Sequence, residues 1–518
     1  MRKHVFLVAA AVAALLSVTT AAAGSSAHRT LASSAKGPSG SATVSVGTDP
    51  GSLDPQLTLL SAARYVDSFA YDTLVTLTGP GKIASGVAQS WKVVSPKRVE
   101  FTLRRNVTCA DGSKMTASVV KQNLDFVGNP ANKSPLLGLF VPVGAKVTAD
   151  NGARTVVVAS TTPQPFMVQG LALVQLICSK GLADRSLLTR GTDGTGPYSL
   201  TSVVAGDHYT FQVRKGYTWG PNGATTAVDG LPAKVTVKVI TNETTASNLL
   251  LSGGLNLAGV SGADRSRLDK SSDLFRIVSP AQPNELFFNE NAGHPAASPA
   301  VRKALVQALN LNQVGTVVTS GRGLKMTQLS LQNFTPCAGN SVAGSVPAYN
   351  PSAAKSALGG VSIKVLYPTD AGPAYAPAAE LVQQQLSAAG VKVTLDGQST
   401  ATLQGKIFGS GDWDLVLIAI GVANPAQFTS LLSGPAPPKG INFAGIANAG
   451  YKLGVARGSR RVGAAGCKFW LDGERALLKA ADLAPLAVTT TASYGRGLRF
   501  TVGLQGPQPT SFRLTKSK

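Results

Sequence analysis

Four cysteines could take part in several kinds of chemistry: Cys109, Cys178, Cys337 and Cys467. Cysteines of an exported protein can form disulfides, bind a metal or act as nucleophiles. A zinc site is disfavoured because the sequence contains no CxxC and its four histidines are scattered. A catalytic thiol is disfavoured because no accompanying pattern of histidine and asparagine is found. The even number favours two disulfides, and the residues alone leave three pairings open.

Two other patterns invite a catalytic interpretation. Asp412 and Asp414 flank a tryptophan, and paired carboxylates can do acid–base chemistry. Carboxylates two positions apart at the start of a strand are more typical of a strand edge and a turn. Ser352 and Lys355 form Ser-x-x-Lys without the S-D-N or K-T-G sequence of penicillin-binding proteins. Neither a G-x-S-x-G elbow nor a P-loop is present. We therefore expect no enzyme, no metal site and no cofactor.

The N-terminus has the features of an export signal. Two cations precede an apolar run over residues 5–16, and three alanines at 21–23 supply small residues for cleavage. A membrane anchor needs about 20 apolar residues, so we expect a signal peptide at 1–23 and a flexible leader at 24–43. The protein is then secreted to the cell envelope, in the periplasm or cell wall. No cysteine near the cleavage site is available for lipid attachment.

The composition describes a large basic protein. Its 518 residues carry a net charge of +22, and 44% of them are apolar. The length suggests two or three domains, and the charge favours anionic surroundings such as wall polymers, acidic lipids or acidic solutes. The cations are spread along the chain and no nucleic-acid-binding module is visible. We therefore expect a solvated basic surface and no nucleic-acid partner.

The first half of the chain, residues 44–285, is rich in predicted strands. Apolar residues at alternate positions predict a strand that begins at Val44, and two such runs around Pro96 predict a hairpin. Thr116 can cap a helix whose apolar face includes Val120 and Leu124.

From about residue 286 the predicted strands alternate with helices. Ser298 and Pro299 begin one predicted helix, and Gly390 follows the end of another. The apolar run WDLVLIAIG (413–421) is typical of a strand buried on both faces. This alternation predicts a parallel α/β sheet, and the extended stretch 484–500 predicts a return to the first half.

Seven segments between residues 44 and 505 carry short motifs in a fixed order. They are GTDPGSLDPQ, the region from FAYDTLV through GVAQSWKVV to DGSKMTA, GTGPYSL, NETTASNLLLSGGLNLAGV, LFFNENAGHPAASPAVRKALVQALN, ELVQQQLSAAGVKVTL and GDWDLVLIAI. Together they resemble the extracellular solute-binding proteins of bacterial ABC importers, in the oligopeptide, dipeptide and nickel class known as family 5. The resemblance depends on all seven motifs in register, since none is specific alone.

The resemblance implies an α/β fold of the two-lobed type II periplasmic-binding-protein kind (cluster C). It places the first lobe, with an extra β-rich subdomain, at 44–285, the second lobe at 286–485, and a return to the first lobe at 486–518. Crossover strands are expected near 286–289 and 486–491. Family members of this kind enclose a solute between the lobes by hinge closure.

The function implied is the extracellular component of an ABC importer that captures a small solute, such as a peptide. Its partners would be permease and ATPase subunits, and the protein is expected to be a monomer. The alternative is a cell-wall-associated binding or scaffold protein that kept the fold without transport.

The resemblance also assigns the cysteines to lobes. Cys109 stands where many relatives carry an aromatic residue before an Asp-Gly turn, so it falls with Cys178 in the first lobe. Cys337 and Cys467 fall in the second lobe. Because a bridge between lobes would oppose hinge opening, the resemblance implies disulfides Cys109–Cys178 and Cys337–Cys467.

The expected ligand site departs from the family pattern at one position. Peptide-binding relatives carry an aspartate for the peptide's amino terminus after the strand placed here at 414–420, and the resemblance puts that position at Gly421 or a neighbour. The segment LIAIGVANPAQF contains no carboxylate, which disfavours a charged amine. Asn424 can still bond a neutral polar group. The other candidate ligand-binding residues are Tyr65, Trp413 and Tyr494.

Overall fold

The computed structural model describes residues 37–79 and 81–515. The predicted signal peptide and residues 24–36 of the predicted leader lie outside the described residues. The first strand begins at Ser41, so the last three residues of the expected leader belong to it. Within the described ranges no helix combines the length and apolar character needed to cross a bilayer.

The described chain contains both strands and helices. The strands are β1 (Ser41–Val46), β2 (Val75–Gly79), β3 (Lys82–Ser85), β4 (Ala88–Ser95), β5 (Arg98–Leu103), β6 (Lys146–Asp150), β7 (Thr155–Ala159), β8 (Tyr198–Val204), β9 (His208–Val213), β10 (Lys234–Val239), β11 (Leu257–Val260), β12 (Leu274–Phe288), β13 (Leu324–Lys325), β14 (Ser362–Pro368), β15 (Lys392–Gln398), β16 (Leu415–Ala419), β17 (Leu483–Arg496), β18 (Leu498–Arg499), β19 (Val502–Gly503), β20 (Gly506–Pro507) and β21 (Arg513–Leu514). The α-helices are α1 (Ser61–Asp67), α2 (Ala117–Gly128), α3 (Met167–Leu171), α4 (Ser179–Ala183), α5 (Glu243–Ser252), α6 (Arg265–Leu268), α7 (Pro299–Ala308), α8 (Leu311–Val318), α9 (Pro351–Leu358), α10 (Tyr375–Ala388), α11 (Thr400–Gly405), α12 (Thr429–Ser433), α13 (Ala449–Gly458) and α14 (Cys467–Lys479).

One mixed sheet runs through both halves of the molecule. Its strands lie in the order β15-β14-β16-β12-β17-β11-β1-β10-β9-β8, and β13 pairs with β17. β14 is parallel to both β15 and β16, as the alternation of strands and helices predicts. β12 and β17 are antiparallel to each other, and each is antiparallel to its outer neighbour. We call the part built on β1 to β11 the first lobe and the part built on α7 to α14 the second lobe.

The long strands β12 and β17 connect the two lobes. One end of β17 pairs with β11 of the first lobe, and the far end of β12 pairs with β16 of the second. The register of the β12–β17 pair shifts between Pro280 and Pro283, opposite residues 488–490. Both ends of the shift are prolines, which have no N–H to donate to a strand ladder. On β12 the shift precedes the crossover expected at 286–289. On β17 the facing residues 488–490 lie within the crossover expected at 486–491. The exact lobe boundaries at 285 and 485 stay predictions.

A separate four-stranded antiparallel sheet, β4-β5-β7-β6, forms the extra subdomain of the first lobe. The hairpin β4–β5 turns at Pro96, as predicted. Helix α2 packs against β6 and β7. Thr116 caps α2 as predicted, because its side-chain oxygen accepts a hydrogen bond from the Val119 N–H at 3.3 Å. The apolar face of α2, including Val120 and Leu124, is buried in the subdomain core.

Each lobe contains one disulfide. The Cα atoms of Cys109 and Cys178 are 6.2 Å apart, and both residues are buried in the core of the first lobe. The Cα atoms of Cys337 and Cys467 are 5.0 Å apart in the second lobe. The pairing that the family resemblance implied is therefore confirmed.

Candidate functional site

A cavity of about 530 Å³ lies between the two lobes. Small-molecule sites of proteins have volumes of about 300–1,000 Å³, so the space suits a compact solute. Residues of both lobes, of both crossover strands and of the β19–β20 hairpin contribute to its wall. The contributing segments are 59–64, 139–140, 173, 279–282, 331–334, 421–427, 491–493 and 502–506.

The secondary structure explains which side chains face this cavity. β16 ends at Ala419, and the chain that leaves its carboxyl end forms the wall from Gly421 to Ala423. Ligands of open α/β sheets bind outside the carboxyl ends of strands. On β17, Thr491 and Ser493 line the cavity two residues apart, because alternate side chains of a strand point to the same face.

The cavity wall is mainly apolar, with hydroxyl and amide groups between the apolar side chains. Apolar contributions come from both lobes and include Leu139, Phe140, Leu331, Phe334 and Leu504. Polar contributions come from serine, threonine and glutamine residues, including Gln282, Gln427 and Gln505. Among the described residues that line the cavity, Arg64 is the only one with a formal charge at neutral pH.

Helix α1 holds Arg64 in the first-lobe wall. Its Nη2 donates a hydrogen bond to the Leu173 carbonyl at 2.5 Å, and its guanidinium carbon lies 5.3 Å from the centre of the Phe140 ring. Leu173 and Phe140 also line the cavity. Arg64 is only 7% exposed, yet its Nη1 has no hydrogen-bond partner among the described residues.

The charge of Arg64 has little local compensation. Burial lowers the pKa of Arg64 to about 10, and the nearby Asp67 acts in the opposite sense, so the guanidinium stays protonated at neutral pH. Asp67 is fully buried, and neither of its carboxylate oxygens has a partner among the described residues. Burial raises the pKa of Asp67 well above its usual range, against the smaller effect of Arg64. Burial therefore shifts Asp67 toward its neutral form, which weakens its compensation of the Arg64 charge.

The segment after β16 carries two of the predicted ligand-binding residues. Gly421 lines the cavity, and a Cβ atom placed there would lie 2.4 Å from Oε1 of Gln282. Asn424 does not line it, although the neighbouring Ala423 and Gln427 do. The Asn424 side chain instead accepts a hydrogen bond from the N–H of Ala426 at 3.2 Å and caps the helical turn Pro425–Phe428.

The other three predicted residues lie outside the lining of the cavity. Tyr65 lies behind the wall, where its ring approaches Gly506, and Tyr494 on β17 points to the face opposite Ser493. Tyr494 donates a hydrogen bond to Asp269 at 2.5 Å. Trp413 precedes β16, at the end of the strand away from the cavity, and is buried in the second-lobe core. The structure does not bring these side chains together, and ligand contact by any of them stays a prediction.

A narrower pocket of about 100 Å³ adjoins the cavity across Leu173 and the β19–β20 hairpin. Its carboxylate, Asp72, accepts hydrogen bonds from Tyr217 Oη at 2.8 Å and from Trp219 Nε1 and Thr195 Oγ1 at 2.9 Å. Burial raises the pKa of Asp72 to about 6, although these hydrogen bonds oppose the shift. Three donors thus already hold this carboxylate in place.

The aspartates of the GDWDLV motif serve the structure. Asp412 forms ion pairs with Lys364 and, at 3.1 Å, with Lys406. Asp414 accepts hydrogen bonds from His294 Nδ1 at 2.8 Å and from the Lys364 N–H at 2.8 Å. In the described ranges no cluster of three or more His, Cys, Asp or Glu side chains has a geometry that could hold a metal ion.

Sequence reasoning missed the residues that give the cavity its character. Arg64 and Asp67 stand three residues apart in helix α1, SAARYVD, whose other residues are mainly apolar, and this pattern of charge is the signal that could have identified the site. Leu331 and Phe334 lie in an irregular segment, and Gln282 lies at the register shift of β12, so no periodic pattern shows which side these residues face.

The comparisons with known proteins agree with this architecture. A family model described as bacterial extracellular solute-binding proteins, family 5 (middle region), matches residues 82–438, more than half of the chain. The glutathione-binding protein GsiB of Pectobacterium atrosepticum is 26% identical over 439 residues, which cover 76% of this chain and 80% of that protein. The probable D,D-dipeptide-binding periplasmic protein DdpA of Escherichia coli is 24% identical, with 73% of each chain covered.

Solved structures share the fold over nearly the whole chain. A substrate-binding protein of Microbacterium hydrocarbonoxydans, solved with 4-hydroxybenzoate hydrazide, is 27% identical with a TM-score of 0.71, covering 92% of this chain and 100% of that one. The ABC transporter substrate-binding protein CtaP of Listeria monocytogenes has a TM-score of 0.79 at 18% identity, with the same coverage. The two-lobed fold is thus confirmed, and the chain belongs to the bacterial extracellular solute-binding proteins of family 5, which are binding proteins.

Proposed function

We propose that this protein is the extracellular solute-binding component of an ABC importer and captures its solute in the cavity between the lobes. The observation that carries the proposal is the cavity of about 530 Å³, which takes its wall from both lobes and from both crossover strands. A solute in this position contacts both lobes at once. It therefore stabilises the closed arrangement relative to an open one, as hinge-closing binders require.

The partners follow from this role. A permease and an ATPase would accept the closed, loaded form and move the solute inward, and the protein itself acts as a monomer that performs no chemistry. Export by the predicted signal peptide places it outside the cytoplasmic membrane, at the cell envelope. The named relatives bind glutathione or, for DdpA, D,D-dipeptides, and the Microbacterium protein was solved with an aromatic hydrazide. These names support a small solute and define the first compounds to test.

A thermal-shift screen of the secreted protein tests the proposal. The panel contains glutathione, a D,D-dipeptide, di- to pentapeptides, N-acetylated peptides, 4-hydroxybenzoate hydrazide and oligosaccharides, at low and moderate salt. A ligand at 100 times its dissociation constant adds about 2.7 kcal/mol to the free energy of unfolding, a shift that is readily detected. We expect at least one compound to stabilise the protein at both salt concentrations.

A matched pair of substitutions shows whether that compound occupies the cavity. Val422→Trp fills space in the cavity wall, whereas Leu453→Trp adds the same side chain on the exposed side of α13. Stabilisation that is lost in Val422→Trp and kept in Leu453→Trp supports the proposal. Stabilisation by polyanions alone, only at low salt and in both variants, contradicts it and favours the cell-wall-associated scaffold instead.

A further inference from the structure

We infer that the solute of this protein has an apolar body and a single anionic or strongly accepting group, such as a carboxylate, that Arg64 binds. The inference rests on the proposed function, because it names the chemical class of solute for the same cavity.

The first step is the unused hydrogen-bonding capacity of Arg64. Its Nη2 donates a hydrogen bond to the Leu173 carbonyl at 2.5 Å, and the guanidinium carbon lies 5.3 Å from the centre of the Phe140 ring. Nη1 has no partner among the described residues and almost no exposed surface, although Arg64 lines the cavity. A buried donor without a partner is costly, so a small movement of the guanidinium toward an acceptor on the solute would satisfy Nη1. A carboxylate is the strongest such acceptor, because its hydrogen bond with arginine is charge-assisted.

The second step is charge. None of the described residues that line the cavity is an aspartate or glutamate, so a solute anion meets no repulsion from the wall and a solute ammonium group finds no counter-ion. The buried Asp67 lacks hydrogen bonds, and its raised pKa favours the neutral form. Asp72, in the adjoining pocket, already accepts three hydrogen bonds. A free amine is therefore disfavoured and an anion favoured.

The third step is the apolar body. Leu139 and Phe140 contribute from the first lobe, and Leu331 and Phe334 from the second. A solute with an apolar body would bury its surface against these side chains on both sides, and this removal of apolar surface from water favours binding. Gln282 and Gln427 are neutral and can hydrogen-bond a carbonyl or amide group along the body of the solute.

Isothermal titration with three matched probes tests the inference. The probes are 4-phenylbutyrate, 4-phenylbutanamide and 4-phenylbutylamine, which share a body and differ in charge; glutathione is a fourth probe that carries a free amine. The protein is wild type, Arg64→Gln, Arg64→Lys and, as a control for the large positive net charge, Arg457→Gln on the exposed side of α13. The measurements are made at low and moderate salt.

We expect the carboxylate to bind wild type most tightly and the amine most weakly. Arg64→Gln should weaken carboxylate binding roughly 10- to 100-fold, the range for loss of a charged hydrogen bond, with little change for the amide. Arg64→Lys should restore part of the loss, and Arg457→Gln should bind like wild type. If the Gln variant fails to fold, Arg64→Lys and the order of the three probes on wild type still decide the question.

The outcomes separate this inference from the proposed function. The inference is overturned if Arg64→Gln and wild type bind the carboxylate equally, or if the amine or glutathione binds more tightly than the carboxylate. In either case, any binding that Val422→Trp abolishes still supports the proposed function. Equal losses in Arg64→Gln and Arg457→Gln also overturn it, because they show general attraction to a basic surface. Failure of all four probes overturns the ligand class, and the wider thermal-shift panel then decides the function.

Discussion

Two residues, Arg64 and Gly421, are central to the charge inside the cavity. Arg64 supplies the formal positive charge of the lining, and Gly421 also lines the cavity. The family resemblance places the carboxylate of peptide-binding relatives at Gly421 or a neighbour. A Cβ atom at Gly421 would meet only the end of the flexible Gln282 side chain, at 2.4 Å. The wall can therefore accept a short side chain at this position if Gln282 rotates away.

We predict that Gly421→Asp gives the protein affinity for free amines. The new carboxylate would lie in a cavity whose lining has no other, so it should pair with the ammonium group of 4-phenylbutylamine or of a dipeptide and strengthen binding about 10-fold or more. Gly421→Asn has the same shape without the charge and should leave amine binding weak. The measurement is isothermal titration of both variants. Equal amine affinity in the two variants would show that charge at this position does not select the solute.

At this scale the sequence pattern singles out Gly421 as a candidate, which stays a prediction, and does not single out Arg64. The absence of a carboxylate could be read directly from LIAIGVANPAQF. The role of Arg64 depends on the approach of Leu173 and Phe140, which are more than 70 residues away in sequence. Tyr494 lies on the face of β17 opposite Thr491 and Ser493. The face that a residue takes depends on the register of β17 with β12, which a sequence pattern does not give, and a one-residue step reverses it.

At the scale of elements, helix α14 organises the second-lobe side of the cavity. Glu474 on this helix is 3% exposed. Its Oε2 accepts hydrogen bonds from Ser341 Oγ at 2.5 Å and from the Leu329 N–H at 3.3 Å. These bonds attach α14 to the loop after β13 that supplies Leu331. Burial raises the pKa of Glu474 to about 7, and the hydrogen bonds reduce the shift.

We predict that Glu474→Gln removes part of the pH dependence of stability. Because the folded pKa is raised, the stability that this group contributes is complete below pH 4.5 and is lost as the pH rises to about 7, where the folded form also ionises. The free energy of unfolding of wild type relative to the variant should therefore fall across this window, by roughly 3 kcal/mol at most. Urea unfolding from pH 4 to 8 measures this difference. A difference that does not change with pH would contradict the assignment.

The two disulfides should differ in their effect on binding. Replacing either pair by alanine should lower the free energy of unfolding by about 2–5 kcal/mol, because each bridge restricts the unfolded chain. Cys337 follows closely after Leu331 and Phe334, which line the cavity, whereas the Cys109–Cys178 pair lies in the first-lobe core. We therefore predict weaker solute binding only for the Cys337→Ala/Cys467→Ala protein. Urea unfolding and titration of both double variants test this; equal effects on binding would contradict it.

Many elements could be predicted from local pattern alone. The β4–β5 hairpin, the Thr116 cap and the alternation of β14, β15 and β16 with helices follow from turn residues and periodicity. The register shift between Pro280 and Pro283 could not be placed as well, because it depends on the pairing of β12 with a strand about 200 residues later.

At the scale of the whole molecule, the lobes also touch away from the crossover strands. Phe166 of the first lobe packs against Trp470 of the second, with ring centres 6.1 Å apart. The Gly463 N–H donates a hydrogen bond to the Pro165 carbonyl at 2.9 Å. These contacts join the lobes at a place away from the crossover strands, so they would oppose separation of the lobes.

We predict that Phe166→Ala shifts the protein toward an open form. Aromatic pairs of this kind contribute about 0.5–1.5 kcal/mol beyond the burial of their surface, so the solute should dissociate roughly 2- to 10-fold faster. Small-angle scattering should show a larger radius of gyration without solute, and stopped-flow kinetics should show the faster release. Phe408→Ala, which removes a half-exposed aromatic residue within the second lobe, is the control. Identical scattering and kinetics of Phe166→Ala and wild type would mean that this contact does not hold the lobes together.

A crystal structure of the protein with 4-phenylbutyrate, or with whichever solute in the panels binds most tightly, tests the central claim most directly. The account predicts the solute between the lobes, with an acceptor oxygen about 3 Å from Nη1 of Arg64 and its apolar body between Phe140 and Phe334. A solute found outside this cavity would contradict the proposed site. A solute within the cavity whose acceptor group avoids Arg64 would contradict the proposed ligand class alone.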